Sequence, residues 1–309
     1  MVSSGNGVAP GPGIPGPGQA HQAFDSLVRW TIEVERGAAA DFLPEAERGE
    51  FLKYYERLPA ATDEVSIRRY LRGMWRGEAG WTARWIAARS AIAPPVRVLD
   101  AGSGFGTFAM LYAAVGAEVI GVDLRPDRLS AADRRLEYFA SRTGRSLNVH
   151  CQRADLTREW PGDFDVVWVY NALSHIDPLD AFLDQTRRHL RPGGVLVVGD
   201  INGANSAHLK RLGHLRTDVH QEYVAPDGER HAYAVERPFP PEELRGIMAS
   251  HGLKVVRHEL YWFGLSVLPD LLYWNLLAPL QTGWQLGERV ARRQLLVATP
   301  SAPPALHGA

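Results

Sequence analysis

The run from Val96 to Thr107, VRVLDAGSGFGT, constrains the fold more than any other stretch. Val96, Val98 and Leu99 are apolar and partly β-branched, which suits a buried parallel strand. Gly102, Gly104 and Gly106 let the backbone turn sharply and approach a ligand closely. From Phe105 to Val115 the chain is apolar and alanine-rich, as expected of a helix. Strand, glycine loop and helix N-terminus together form a nucleotide-type cradle.

Glycine spacing alone leaves the nucleotide open. Counted from Gly102, the last glycine of G-x-G-x-x-G falls on Thr107, yet the shifted frame Gly104, Gly106, Ala109 fits the weaker variant. Asp100 is more telling. A carboxylate two residues before the loop repels a pyrophosphate. It suits a ligand with an ammonium or sulfonium and no phosphate, such as S-adenosylmethionine (SAM). Leu99-Asp100-Ala101-Gly102-Ser103-Gly104-Phe105-Gly106 resembles the first motif of class I SAM-dependent methyltransferases. Leu190-Arg191-Pro192-Gly193-Gly194, set before an apolar strand, resembles a later one. The resemblance covers Val96 to Gly252, extends more weakly to Pro300, and does not reach the residues before Val96.

The resemblance implies an α/β fold, a doubly wound Rossmann-like sheet of seven strands in the order 3-2-1-4-5-7-6 with the last strand antiparallel. It also implies S-adenosyl-L-methionine as cofactor, released as S-adenosyl-L-homocysteine (SAH). Asp100, Gly102, Ser103 and Gly104 fall on its cofactor loop. Asp123, closing the second strand Glu118–Asp123, takes the role of accepting the ribose hydroxyls, with Leu124 beside it. NAD enzymes place an acid there too. Asp155 takes the adenine amino group and the Leu156 amide meets the ring. Tyr170, Asn171, Ala172 and Leu173, after the strand Phe164–Tyr170, fall beside the methionine part and the reacting methyl.

The rest of the chain fits around this core. At 309 residues and 45% hydrophobic it allows one large domain with additions or two small ones. Residues 1–20, rich in Gly and Pro, read as a disordered tail without the flank and apolar run of a signal peptide. Residues 21–93 read as a helical cap. Phe24, Leu27, Val28 and Thr31 recur at helical spacing, as do Phe51, Tyr54, Tyr55 and Leu58. Gly77 and Gly80 break the longer pattern from Ser66 to Ile92. Most cap aromatics are expected to pack helices on the sheet, with Tyr54, Tyr55 and Tyr70 the candidates for lining a pocket.

Residues 94–300 are expected to form the methyltransferase domain that the resemblance implies. Its predicted elements are a helix over Pro126–Arg142, a third strand over Leu147–Cys151, a helix from Pro178 to Leu190 capped by Asp177, a turn at LRPGG and a strand over Val195–Asp200. An insertion over 201–238 holds a helix, Asn205–Leu215, and a hairpin, Gln221–Ala225 with Arg230–Val235, around Pro226-Asp227-Gly228. A helix ending near Gly252, a strand over Lys254–Leu260 and a final strand over Gln294–Thr299 follow, then a tail over 301–309. Within 261–290, predicted as an apolar helical insertion, Tyr261–Leu280 is interrupted by Pro269, Asp270, Asn275 and Pro279 and is no clean membrane span. Three readings stay open for it: a core-packing or dimer-forming insertion, a wall of the acceptor pocket, or weak attachment to a membrane surface.

Composition narrows the partners. The net charge is −1, with Arg interleaved among acids, which gives no basis for a nucleic-acid partner. The run after strand four, Asn171-Ala172-Leu173-Ser174, lacks the N/D-P-P-Y/F signature of amino-methylating enzymes. A single cysteine, Cys151, supports neither a disulfide framework nor a cysteine zinc site, and a reducing cytoplasm is the simplest setting. On a strand, Asp218, His220 and Glu222 would share a face. Metal-dependent relatives draw their ligands from loops after the core strands, so no metal is expected.

Methyl transfer from a sulfonium is an in-line displacement in which the protein aligns the acceptor and excludes water. An oxygen acceptor also calls for a positioned base. His175, just after strand four, is the candidate base, and Asp200, ending strand five, is a second polar group toward the acceptor. The reading is methylation of a hydroxyl oxygen on a small biosynthetic (secondary-metabolite) intermediate. The alternatives are N- or C-methylation of a sugar, quinone or isoprenoid-like acceptor, a non-catalytic SAM-binding partner subunit, and an NAD(P)-dependent oxidoreductase, against which Asp100 argues.

Overall fold

The computed structural model describes residues 17–55, 58–92, 95–213, 220–224, 228, 230–234, 237–262 and 285–301. The first helix, α1 (Pro17–Trp30), starts inside the stretch expected to be a tail to residue 20. Ala20 continues the buried face formed by Phe24, Leu27 and Val28, so helical packing reaches past the Gly/Pro-rich composition. A π turn, Thr31–Glu35, follows, then α2 (Ala39–Phe42), α3 (Glu45–Tyr55) and α4 (Glu64–Gly73). Asp63 caps α4 by accepting from the Ser66 N–H at 3.1 Å. The break expected at Gly77 and Gly80 is a second π turn, Met74–Glu78, before α5 (Gly80–Ser90). A β-carbon on Gly80 would lie 1.9 Å from the Trp75 carbonyl oxygen, so only glycine lets the chain restart there. Tyr54 and Tyr55 fall in α3, but their side chains lie outside the description.

The core begins with β1 (Arg97–Ala101), α6 (Thr107–Ala114), β2 (Glu118–Asp123), α7 (Pro126–Thr143) and β3 (Val149–Arg153), the last two residues later than periodicity predicts. Then come β4 (Phe164–Tyr170), α8 (Leu179–His189) and β5 (Leu190–Ile201). Two local predictions are corrected. Asp177 does not cap α8, which follows an extended Pro178 with no side-chain cap. The LRPGG turn lies inside β5: Phe164 pairs with Leu190 and Val166 with Val195, so Arg191–Gly194 bulge out of a ladder that continues on both sides.

Beyond β5 lie α9 (Ser206–Leu212), the hairpin β6 (His220–Val224) and β7 (Arg230–Ala234), α10 (Pro241–Ser250), β8 (Leu253–Tyr261), α11 (Gln285–Val290) and β9 (Arg293–Pro300). The hairpin is antiparallel, with His220 opposite Ala234 and Val224 opposite Arg230. From Phe263 to Trp284 the apolar insertion lies outside the described residues, and with it the three readings of Tyr261–Leu280. Among the described residues no helix is long and apolar enough to cross a membrane.

Seven strands form one sheet in the order β3-β2-β1-β4-β5-β9-β8. The first five are parallel, and β9 runs antiparallel to both neighbours. This is the expected topology. β4 is buried from Phe164 to Val169 because both faces are covered. On one face the cap helices and α6 close over Val98, Val166 and Trp168. On the other, Phe182 and Leu183 of α8 and Leu244 and Met248 of α10 pack on Leu99, Val167 and Val198.

Candidate functional site

The strand ends and the glycine loop meet at one edge of the sheet. The N–H groups of Gly102 and Ser103 both donate to the Val122 carbonyl, at 2.8 and 2.9 Å, which ties the loop to β2. Gly102 has φ +74°, and a β-carbon there would fall 2.6 Å from that of Ala172. The residue is glycine because the segment after β4 passes directly over it. Ser103 is buried, and its hydroxyl lies toward Gly121 of β2. Gly104 opens on free space, and its N–H donates to Asp123 Oδ2 at 2.9 Å. Asp123 Oδ1 takes the Arg125 N–H, also at 2.9 Å. The carboxylate thus braces the loop and keeps lone pairs for further donors. Leu124 beside it is half-buried.

Arg135, from α7, holds the far side of the loop. Its guanidinium donates to the Phe105 carbonyl and to Thr107 Oγ1, the latter at 3.0 Å, and pairs with Glu35 of the first π turn at 2.5 and 2.8 Å. Both charged side chains are almost wholly buried. The cap and the cradle are therefore joined by a buried ion pair.

Asp100 is buried with one carboxylate oxygen lacking a hydrogen-bond partner among the described residues. Burial pushes its carboxyl up to about 7, with the Ala109 N–H pulling down and the Asp123 charge pushing further up. Such an acid fits a cationic ligand, which holds it ionised, and opposes a phosphate. The orphaned oxygen and the open space at Gly104 together fit a SAM-type ligand.

The other expected cofactor residues are placed as follows. Asp155 Oδ1 accepts from the Thr157 N–H and hydroxyl at 2.9 and 2.6 Å, and Oδ2 lies 3.3 Å from Arg158. Leu156 is buried, its carbonyl taken by Trp160 Nε1 at 2.7 Å. Asn171, at φ +51°, follows β4, and its Oδ1 accepts from Arg293 at 2.6 Å. His175 is half-buried at the end of a short 3₁₀ turn, Leu173–His175, with β7 packed beside it. That places the hairpin next to the candidate base. Asp200 is buried at the end of β5 and accepts the Ile201 N–H at 2.7 Å. Of the hairpin acids weighed for a metal, Asp218 lies outside the described residues. Among those described, no group of His, Cys, Asp and Glu is placed to hold one.

Sequence reasoning missed a buried polar cluster at the same edge. Arg293, opening β9, donates to the Tyr261 hydroxyl at 3.3 Å and lies 4.7 Å over the Tyr170 ring. Its Nε is 4.0 Å from Glu78 Oε1, on the second π turn. Two glycines admit the aromatic rings: β-carbons on Gly77 and Gly199 would each fall 2.7 Å from Tyr261 and Tyr170 respectively. Burial raises the Glu78 carboxyl, against Arg293 and the Tyr170 hydroxyl. In the sequence Glu78 stands only within the helix-breaking Gly-Glu-Ala-Gly, and Arg293 falls just before the predicted final strand. Only Tyr170 carried a signal, as the end of strand four.

Two cavities flank the site. One of about 60 Å³, between cap and core, is lined by Met74, Glu78, Thr107, Phe108 and Tyr170 among others. One of about 340 Å³ lies on the α8–α10 side of the 3₁₀ turn, by Ser174, Arg237 and His251.

A family model described as a methyltransferase domain matches residues 99–196. The chain is 34% identical to a ubiquinone biosynthesis O-methyltransferase of Xanthomonas campestris over 151 residues, 48% of this chain and 59% of the relative. It is 30% identical to the protein of that description in Thiobacillus denitrificans over 172 residues, 55% of this chain and 69% of the relative. The match to the Xanthomonas relative thus spans about three fifths of that protein's length. In fold the chain is similar to the magnesium protoporphyrin IX methyltransferase of Synechocystis, solved with bound SAH. The TM-score is 0.51 at 17% identity, covering 84% of this chain and 97% of that one.

Proposed function

The chain belongs to the class I SAM-dependent methyltransferase family, and we propose that it methylates a hydroxyl oxygen of a small biosynthetic intermediate. The observation that carries the cofactor reading is the buried Asp100, one oxygen unpartnered among the described residues, beneath a glycine loop braced by Asp123. SAM supplies an electrophilic methyl on a sulfonium and departs as SAH. Asp123 accepts the ribose hydroxyls with its remaining lone pairs. Asp155 and the Leu156 amide meet the adenine. Asn171, its oxygen held by Arg293, keeps its amide hydrogens for the methionine end. Residues 21–93 form the cap over this site.

On the acceptor side, His175 takes the hydroxyl proton and Asp200 orients the acceptor or its loop. The names of the relatives favour a second reading, in which the acceptor is of quinone type. Calorimetric titration with SAM and SAH tests the cofactor; NAD(P) raising the melting temperature where SAM does not would overturn it. Labelled methyl from SAM should then appear on a hydroxyl-bearing acceptor. His175→Ala should lower kcat with that acceptor and leave SAH affinity unchanged, and full turnover would remove the base role.

A further inference from the structure

The cavity of about 60 Å³ under the cap adjoins the cofactor cradle. Thr107 and Phe108, which line it, open the helix directly after the glycine loop, and Tyr170 closes β4. Most of the wall is apolar, with Met74, Phe108 and Leu111 prominent. Two charged side chains interrupt it, Arg135, whose guanidinium is held by Glu35, and Glu78. The Glu78 side chain is 4% exposed, yet Oε1 has no hydrogen-bond partner among the described residues. A buried carboxylate oxygen left this way costs stability unless a donor is supplied.

We propose that this cavity receives a hydroxyl of the methyl acceptor, with Glu78 Oε1 as the oxygen that accepts its hydrogen bond. The surroundings select the chemistry. An anionic group would meet the Glu78 charge. A cationic group would meet Arg135 on the wall and, behind Glu78, Arg293, whose Nε stands 4.0 Å from Oε1. A neutral donor on an apolar frame meets neither penalty. The raised Glu78 carboxyl agrees with a site kept dry until such a donor arrives. Glu78 is then a specificity-determining contact, delivered by the cap to the catalytic edge of the sheet.

The inference rests on the methyltransferase reading, and the test separates the two. The full chain is saturated with SAH and titrated with phenol and with anisole, followed by ligand-observed NMR. A hydrogen bond to a charged group is worth about tenfold or more in affinity. Phenol should therefore bind about tenfold tighter than anisole. Glu78→Met should bring the two within about twofold and leave SAH affinity unchanged. If the methionine variant does not fold, Glu78→Gln should still cut the preference at least about threefold, since its amide is uncharged. Absence of phenol binding, or a preference retained without Glu78, overturns the inference. Loss of SAH affinity in Glu78→Met also overturns it, by giving the cavity to the cofactor. Failure of the wild-type chain to bind SAH refutes the methyltransferase reading instead.

Discussion

Removing the Glu35 carboxylate should cost the fold more than removing the whole Glu35–Arg135 pair. The two side chains are 0% and 1% exposed and joined by two charge-assisted hydrogen bonds. Glu35→Leu strands the Arg135 charge in a nearly fully buried position, a loss of about 3–5 kcal/mol. Replacing both, as Glu35→Leu with Arg135→Met, removes the charge along with its partner and is close to neutral for the pair itself. What the double variant forfeits is the anchor on the Phe105 carbonyl and Thr107, about 1–3 kcal/mol. With a urea m-value of about 3 kcal/mol/M for a chain of this size, the single variant should shift the midpoint down by roughly 1 M or more. Tryptophan fluorescence in urea reads this, and the double-mutant cycle isolates the pair. The double variant should recover stability but not SAH affinity, because the loop loses its anchor. A shift below about 0.3 M for Glu35→Leu, or a double variant less stable than it, would refute the reasoning.

Asp123→Ala should weaken SAH binding by about 1–3 kcal/mol, measured by calorimetry, since the ribose hydroxyls lose their acceptor and the Gly104 N–H its brace. Asp100 titrates at about 7 in the folded state against a usual 3.8, so the native state holds the extra proton between those values. Its contribution is therefore full at low pH and lost as pH rises through 7. Asp100→Asn should flatten the fall in urea midpoint of the ligand-free protein over that window; an unchanged profile would refute it. Gly80→Ala forces a β-carbon against the Trp75 carbonyl and should lower stability by about 1–3 kcal/mol or more; a neutral effect on thermal unfolding would show that the second π turn relaxes freely.

The cradle was legible because its constraints are local. A glycine loop between a buried strand and a helix can be read from consecutive residues, and β2 and β4 fall on their predicted spans. The bulge at Arg191–Gly194 was read as a turn because pairing on both sides of it is a property of the ladder, not of the segment. Ala20 was assigned to a tail because composition was averaged across a helix boundary. The Glu78–Arg293 cluster was illegible for a stronger reason. Its members come from a cap turn and from β9, and nothing in either segment announces the other. Only the sheet order brings Arg293 beside Tyr170, and only the space left at Gly77 and Gly199 lets the rings frame it.

The place of β9 between β5 and β8 carries a consequence for synthesis. While residues before Arg293 emerge from the ribosome, β5 and β8 both present unpaired edges, a state open to misassociation. The nascent sheet closes only when β9 slides into the gap. That same insertion delivers Arg293 to Asn171, Tyr261 and Glu78. Sealing of the sheet and completion of the polar cluster are therefore one event. A chain stalled short of this strand lacks the buried arginine and the link between β5 and β8, so the polar cluster and the seven-stranded sheet come together or not at all.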